Sequence, residues 1–336
     1  MNILLTGGVG YIGSHAAVVL AQAGHDVVLY DNLYNSRADV APRLAQIVGR
    51  AVLLVQGDVR DTDFLAQTLR ARHVDAVIHF AGLKSVGESI ARPLAYYENN
   101  VAGTLSLLQA MQDAAIRTLV FSSTANIYGA PHCLPVDEAH PMAPTNPYGR
   151  SKLQIEQMLA DLAAADAAWR VACLRYFNPV GAHDSGLIGE DPRGMPDNLM
   201  PVIAQVAGGR RARLDVYGRD YPTPDGTGVR DYIHVMDLVE GHLAALDFLA
   251  QHTGWHAVNL GTGRGHSVLE MVRAFEAASG RAVPCHFAAR RPVDVASCYA
   301  SAEKARTMLN WQARRTLEDM CASTWNWQQQ NEQRSS

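Results

Sequence analysis

Tyr148 and Lys152 stand four residues apart in the stretch Asn146-Pro-Tyr-Gly-Arg-Ser-Lys152. Pro141, Pro144 and Pro147 disfavour helix before this point. Leu153, Ile155, Met158, Leu159 and Leu162 then recur at helical spacing, which puts the phenol and the ammonium on one helical face. With an ordinary pKa of about 10 a phenol is a poor base at neutral pH, but a cation held beside it favours the phenolate. Tyr148 is therefore a candidate proton acceptor. A surface tyrosine stacked on a lysine stem is the plainer reading of the same spacing. Of the 29 basic residues only Lys84, Lys152 and Lys304 are lysine, and with 12 tyrosines a Tyr-x-x-x-Lys pair is expected by chance about 0.1 times. Ser122, Ser123 and Thr124 add three hydroxyls that can donate to a sugar hydroxyl and to Tyr148, or can simply make a turn.

The elements that must position these groups read as alternating strands and helices. Residues 2–6 form an apolar run, followed by Gly7-Gly-Val-Gly10-Tyr-Ile-Gly13 and a helical pattern through Ala23. Strand, glycine turn and helix make a pyrophosphate site, because glycine lets the backbone approach closely and the helix N-terminus presents free N–H groups. Residues 27–30 form the second strand and end in Asp31, about 18 positions beyond Gly13. A carboxylate there accepts from a ribose diol and repels a 2'-phosphate, which favours NAD over NADP, with Arg37 leaving some NADP tolerance open.

Residues 52–55 make a third strand, and Asp58 beyond it suits either the adenine amino group or the cap of a helix starting near Thr62. Residues 74–80 are apolar enough for a strand buried on both faces; the turn His79-Phe-Ala-Gly82-Leu-Lys84 follows at the sheet edge where ligands collect. A helix opens at Tyr96 and runs through Met111, with Asn99 as its candidate ligand contact. Residues 119–121 and 171–175 supply the fifth and sixth strands. The whole predicts an α/β chain with a doubly wound parallel sheet, Rossmann-like.

From Gly181 to Arg230 glycine and proline become frequent and regular alternation fades. The expected division is an NAD-binding unit over 1–178, rejoined by 231–262, and a smaller α/β substrate-binding unit from 179–230 and 263–330. Residues 231–235 and 257–260 read as short strands returning to the main sheet around a helix, with His234 structural. Arg230 and Arg291 are candidate diphosphate clamps or, alternatively, surface salt-bridge partners. A helix from Ser301 together with Trp311, Trp325 and Trp327 would complete the core of the second unit.

A chain of 336 residues with 48% apolar and 18% charged residues has ample material for a core, and its formal charge of −4 argues against nucleic acid or an anionic membrane as main partner. Cys133, Cys173, Cys285, Cys298 and Cys321 form no C-x-x-C pair and no His/Cys cluster, so they read as reduced thiols with no metal role. No run approaches the length of a membrane span and no signal segment opens the chain, so a cytoplasmic location is expected.

The runs TGGVGYIGSH, YDNLYNS, HFAGLKSVGES, YYENNVAGT, FSST, NPYGRSK, LRYFNPVGA, NLMP, YPTPDGTGVRDYIHVMDL and NLGTG together resemble the UDP-glucose 4-epimerases of the extended short-chain dehydrogenase/reductase family, over about residues 2–327. The resemblance implies a held NAD and reversible inversion at C4 of UDP-glucose and UDP-galactose through a 4-keto sugar. Tyr148 would be the base, Lys152 would hold the nicotinamide ribose and lower the tyrosine pKa, and Thr124 would bridge to the sugar hydroxyl. The cofactor contacts it implies begin with Gly7, Gly10, Tyr11, Ile12 and Gly13, then Asp31, Asn32, Asn35 and Ser36. They continue through Asp58, Val59, Phe80, Ala81, Gly82 and Lys84 to Asn99, Ser122 and Phe177, beside Tyr148 and Lys152. Thr124 and Tyr148 would meet the UDP-sugar together with Asn178, Asn198, Leu199, Tyr217, Arg230, Arg291, Asp294 and Cys298.

Three positions depart from the family pattern: Thr124 where many relatives carry serine, Val293 where glycine is common, and Cys298 where a bulky tyrosine or a small residue occurs. A small residue there is associated with room for an N-acetyl group, which extends the expected substrates to UDP-GlcNAc and UDP-GalNAc. A sugar-nucleotide 4,6-dehydratase would need an acid after the hydroxyl cluster, and Ala125-Asn126 stand there instead. A simple NAD-dependent sugar dehydrogenase, releasing NADH, and a dinucleotide-sensing regulator without chemistry are the other readings. The family also implies a homodimer through helices over about 97–112 and 148–164.

Overall fold

The computed structural model describes residues 1–194, 196, 198–291 and 294–335. In chain order the first half comprises β1 (Asn2–Thr6), α1 (Tyr11–Gln22), β2 (Asp26–Asp31), α2 (Val40–Val48), β3 (Leu53–Gln56), α3 (Thr62–Ala71) and β4 (Ala76–His79). Short helices α4 (Val86–Ala91) and α5 (Pro93–Tyr96) lead into a π-helical segment (Tyr97–Ala102) and α6 (Gly103–Asp113). Then come β5 (Thr118–Thr124), α7 (Pro147–Ala165) and β6 (Arg170–Tyr176).

These strands form a parallel sheet of seven in the order β10-β6-β5-β4-β1-β2-β3, with β10 (Gly254–Leu260) on its edge. The order reverses between β1 and β4, the point where ligands bind beyond the strand ends in such sheets. Alternate side chains separate onto two faces, as the pleat requires. Ile3, Leu5, Ile78, Val120 and Leu174 pack with α1 and α9 (Val235–Leu249), while Leu4, Val77, Leu119, Phe121 and Val171 pack with α3, α6 and α7.

The smaller unit is built around β9 (Val229–His234), which pairs with β7 (Asn178–Val180), β11 (Gly265–Ser267) and β13 (Ser297–Cys298). A second small sheet pairs β8 (Leu214–Tyr217) with β12 (Cys285–Ala288). Helices α8 (Leu199–Ala207), α10 (Val268–Ser279) and α12 (Leu317–Ser335) enclose Met200, Ile203, Leu214, Phe275 and Met320. The short α11 (Glu303–Leu309) instead returns to the large sheet's layer.

Several elements differ from expectation for identifiable reasons. The hydroxyls of Ser122, Ser123 and Thr124 are not a turn after the fifth strand; β6 pairs with β5 along its whole length, so the strand runs through them. Only β10 of the two late strands joins the large sheet, because it takes the free edge of β6 in register from Gly254↔Arg170 to Leu260↔Tyr176. β9 is held in the smaller sheet by Asp231, whose buried carboxylate accepts from Thr262 N and Oγ1, Gly263 N and Ala300 N at 2.7–3.1 Å.

Trp311 belongs to the large sheet's core, where its indole N–H donates to Asp237 O at 3.0 Å. The C-terminal helix is two helices, broken at Asn310 in the left-handed region (φ 49°). His234 is structural, as expected: it caps α9 by accepting from Met236 N and bonds Ser323. No helix among the described residues is long and apolar enough to cross a membrane.

Candidate active site

The glycine turn after β1 is shaped by close backbone approach. Gly7 sits at φ +67°, and a side-chain carbon added there would come within 2.8 Å of Ala81 N. Gly10 precedes α1 without a side-chain cap, so the first-turn N–H groups of Tyr11, Ile12 and Gly13 face a ligand position. Asp31 locks this turn to the next loop: it accepts from Val9 N (3.2 Å), Leu33 N (2.8 Å) and Ser36 Oγ (2.8 Å). The glycine cradle and the carboxylate beyond β2 fit a dinucleotide.

The sequence left two roles open for Asp58, and Asp61 removes one of them by capping α3 through Phe64 N. Asp58 instead accepts from Asn32 Nδ2 and from Arg60, whose guanidinium holds the carboxyl far below its usual range. Val59 is buried beneath it. Phe80 stacks obliquely on His242 at 5.0 Å, and Ala81 N donates to Thr6 Oγ1. A side-chain carbon on Gly82 would reach 3.3 Å from Asn100 Oδ1 and 3.6 Å from Lys152 Nζ, so this glycine keeps the approach to the lysine open. In the π-helical segment Asn100 is consumed by the Leu83 backbone and Ser151, leaving Asn99 partly exposed with one donor bond to Asn100 Oδ1.

α7 starts where the prolines imply: Asn146 caps it by accepting from Gly149 N at 2.8 Å, and Pro147 takes the first helical position. Tyr148 and Lys152 then lie buried on the face that meets β5 and β6. The Lys152 ammonium donates to Ser122 O at 2.8 Å and sits 4.6 Å above the Phe121 ring. Burial pulls its pKa down to about 8. Tyr148 packs edge-on against Tyr96 at 6.4 Å. Burial pushes its phenol up to about 12, and interaction with the Thr124 hydroxyl opposes this.

One donor of the Lys152 ammonium goes to a backbone carbonyl, and for Tyr148 desolvation of the phenolate is the largest influence. Thr124 Oγ1 accepts from Asn126 N (3.2 Å) and Nδ2 (3.1 Å), which leaves its own hydrogen free to point at a phenol or a sugar. Tyr176 donates to Ser122 Oγ at 2.8 Å on the next strand.

The second unit brings most of the remaining candidates to the same edge. Phe177 and Cys298 share a buried cluster with Ala125, the residue after Thr124, and Arg230 lies beside Cys298 in the β9–β13 register. Arg291 donates to Asp294 at 2.8 Å and lies 4.8 Å over the half-exposed Tyr217 ring. Burial raises Tyr232 to about 12 while Arg230 and Arg291 pull it down, so both guanidiniums act on one locality. The salt-bridge alternative is realised for Arg291 only, since Arg230 bonds Val229 O instead. Asn178 is exposed at the start of β7. Val293 lies outside the described residues.

Glu190 went unnoticed in the sequence. Its Oε1 accepts from Lys84 Nζ at 2.8 Å and from Asn198 Nδ2 at 2.7 Å, beside Leu199 at the start of α8. Arg193 N donates to Asn35 at 2.8 Å and Asp191 pairs with Arg37 at 3.6 Å, so residues 190–193 reach two loops of the large sheet's edge, the one after β2 and the one after β4. Nothing in an isolated Gly-Glu-Asp-Pro stretch signals this. Glu156 and Arg175 were also missed, although a glutamate four residues beyond Lys152 and an arginine inside an apolar strand are legible anomalies.

A family model described as GDP-mannose 4,6 dehydratase matches residues 4–324. The UDP-glucose 4-epimerase of Bacillus subtilis (strain 168) is 54% identical over 331 residues, 98% of each chain. The fold and sequence are also close to the UDP-glucose 4-epimerase from Stenotrophomonas maltophila, solved with bound NAD and formylated UDP-arabinopyranose (52% identity, TM-score 0.98, 100% of each chain). The enzyme from Bifidobacterium longum in complex with NAD+ and UDP is 49% identical, with TM-score 0.96 over 99% of each chain.

The buried lysine has a direct readout. Its unfolded pKa is about 10.4 and its folded value is about 8. Protein lacking nucleotide and labelled at the lysine ε-carbon should show three lysine resonances by NMR, one titrating near about 8 and absent in Lys152→Met. Between those two values the unfolded chain binds the extra proton, so this group's contribution to stability rises with pH. A midpoint above 10 for every lysine would contradict the assigned environment.

Proposed function

The chain belongs to the UDP-glucose 4-epimerases, a family of isomerases, and from that premise we propose that it interconverts UDP-glucose and UDP-galactose through a 4-keto sugar with Tyr148 as the base. The observation that carries this reading is the convergence of Tyr148, Thr124 and Lys152 at the C-terminal edge of β5, on the same sheet edge as the glycine turn after β1. When bound, NAD supplies a reversible acceptor for the C4 hydride, so the hexose passes through a ketone, and it adds positive charge to the pocket around the phenol.

Within that pocket Tyr148 takes the 4-hydroxyl proton and later returns it. Thr124, its own acceptor sites filled by Asn126, directs its hydrogen at the reacting oxygen. Lys152 stays an ammonium at neutral pH and holds β5 and α7 together through Ser122. Gly7, Gly10, Gly13 and Asp31 would hold the dinucleotide, with Asp58 and Lys84 flanking it.

The nucleotide end of the substrate falls to Asn178, Asn198, Leu199, Tyr217, Arg230, Arg291 and Asp294, whose guanidinium forks suit phosphate. The hexose end is lined by small or apolar side chains such as Ala125 and Cys298, so the ketone can turn while UDP stays gripped. The dehydratase reading suggested by the family model lacks its acid, because Ala125 and Asn126 follow Thr124 as a short 3-10 turn. A regulator without chemistry would not need a buried lysine and a threonine hydroxyl beside one phenol.

Two finer points belong to the same reading. Cys298 is a small, buried thiol, raised to about 11 by burial and therefore neutral; its small volume supports a pocket that accepts an N-acetyl group. The chain acts on UDP-GlcNAc and UDP-GalNAc as well. It assembles as a homodimer through α6 and α7, where Leu105 is 48% exposed and Met158 and Leu162 only partly covered. Five free thiols suit the cytoplasm.

Tyr148→Phe should lower turnover of UDP-galactose by roughly 10²–10⁴-fold while leaving UDP affinity within a few-fold, read by sugar analysis and calorimetry; undiminished inversion would sink the reading. Cys298→Tyr should abolish conversion of the N-acetylated pair and spare UDP-glucose, and a wild type inert towards UDP-GlcNAc would end that extension. Sedimentation should give twice the mass of one chain, falling to a single chain's mass in Leu105→Glu; a monomeric wild type would refute the dimer.

A further inference from the structure

Next to Lys152, one turn further along the buried face of α7, lies Glu156, a charged residue with only 2% of its surface exposed. It is met by Arg175 from β6, equally buried, through Nη2–Oε2 at 2.6 Å and Nε to both carboxylate oxygens at 3.0 and 3.2 Å. Ser123 Oγ donates to the same carboxylate, and Ser123 and Arg175 are direct neighbours in the β5–β6 register. Arg175 Nη1 also donates to Tyr128 Oη at 3.1 Å, and Tyr128 donates on to Asn259 of β10 at 2.6 Å. The pair therefore ties α7 to three adjacent strands.

A buried ion pair is weak evidence for stability, since apolar residues of similar volume serve as well or better. What it supplies is direction. Leu159 and Ile155 could slide against the sheet with little change in energy, whereas a two-pronged guanidinium–carboxylate contact has one geometry. Ser123 stands between Ser122, whose carbonyl holds Lys152, and Thr124, which meets Tyr148.

We propose that Glu156 and Arg175 are positioning residues for the epimerisation: their clamp, closed by Ser123, sets the depth and rotation of α7 against β5 and so the placement of Tyr148 and Lys152 against Thr124 and Ser122. The inference rests on Tyr148 being the base. Of the titratable groups facing that lysine, His79 of β4 and Cys173 of β6 are buried and neutral, and Tyr148 is a protonated phenol. Glu156 and Arg175 are the charged ones; they pair with each other, and the Glu156 carboxylate still favours the lysine's ammonium.

Misplacement of reacting groups by about 1 Å costs on the order of 10²-fold in rate. The test compares wild type, Glu156→Met/Arg175→Met, Arg175→Lys and Ser123→Ala, each assayed for kcat, KM for UDP-galactose and thermal midpoint. The apolar double variant should melt within a few degrees of wild type yet lose roughly 10- to 100-fold in kcat, with KM within about 3-fold because UDP is held by the other unit. Arg175→Lys keeps the charge but not the fork and should not rescue kcat. Should the double variant fail to fold, Ser123→Ala, which removes one donor only, should still lower kcat several-fold at unchanged KM.

Wild-type kcat in a folded double variant, or in Ser123→Ala, overturns the clamp. So does a kcat loss matched by an equal fall in folded protein. Failure of the underlying reading is distinguishable: Tyr148→Phe would then retain inversion whatever the clamp variants do.

Discussion

The site depends on a lysine ammonium buried against a backbone carbonyl. Placing Lys152 Nζ on Ser122 O removes it from water, and burial accordingly draws its pKa down to about 8. The contact lies two strand residues from Thr124 and one helical turn from Tyr148, so the same bond that satisfies the lysine also seats the helix on the strand. Every other group near the reacting position is arranged around that seat. Asn146 starts the helix, Tyr96 closes on the phenol edge-on, and Asn126 fills the acceptor sites of Thr124.

Desolvation sets the acid–base character of the pocket. The same burial that lowers the lysine raises the phenol to about 12, against the opposing pull of the Thr124 hydroxyl. Glu190 joins the two sheets' edges, one carboxylate oxygen shared by Lys84 from the loop after β4 and Asn198 at the start of α8.

Much of the architecture was legible because it rests on local rules. The glycine turn, Asp31 at its distance from Gly13, and the apolar runs of β1, β2 and β4 declare a parallel sheet through steric and burial requirements that act within a few residues. The hydroxyl cluster was harder. Ser122 to Thr124 look like turn residues in isolation and are strand residues only because β6 pairs with them to the end. β9 followed the same logic in reverse: its apolar positions resemble a return to the main sheet, but Asp231 commits it to the smaller one through donors at residues 262, 263 and 300.

The sequence by itself determined the fold class, the dinucleotide turn, and the presence of Tyr148 and Lys152 on one buried helical face, since each follows from spacing and short-range sterics. Only the tertiary structure decided what those groups feel. The lysine's carbonyl partner, the Glu156–Arg175 clamp and the Lys84–Glu190 contact all arise between residues 19 to 106 positions apart, and the phenol's raised pKa comes from the same packing. Desolvation and directional bonding at that range depend on which surfaces the packed sheet brings together, and no periodicity in the chain carries that information.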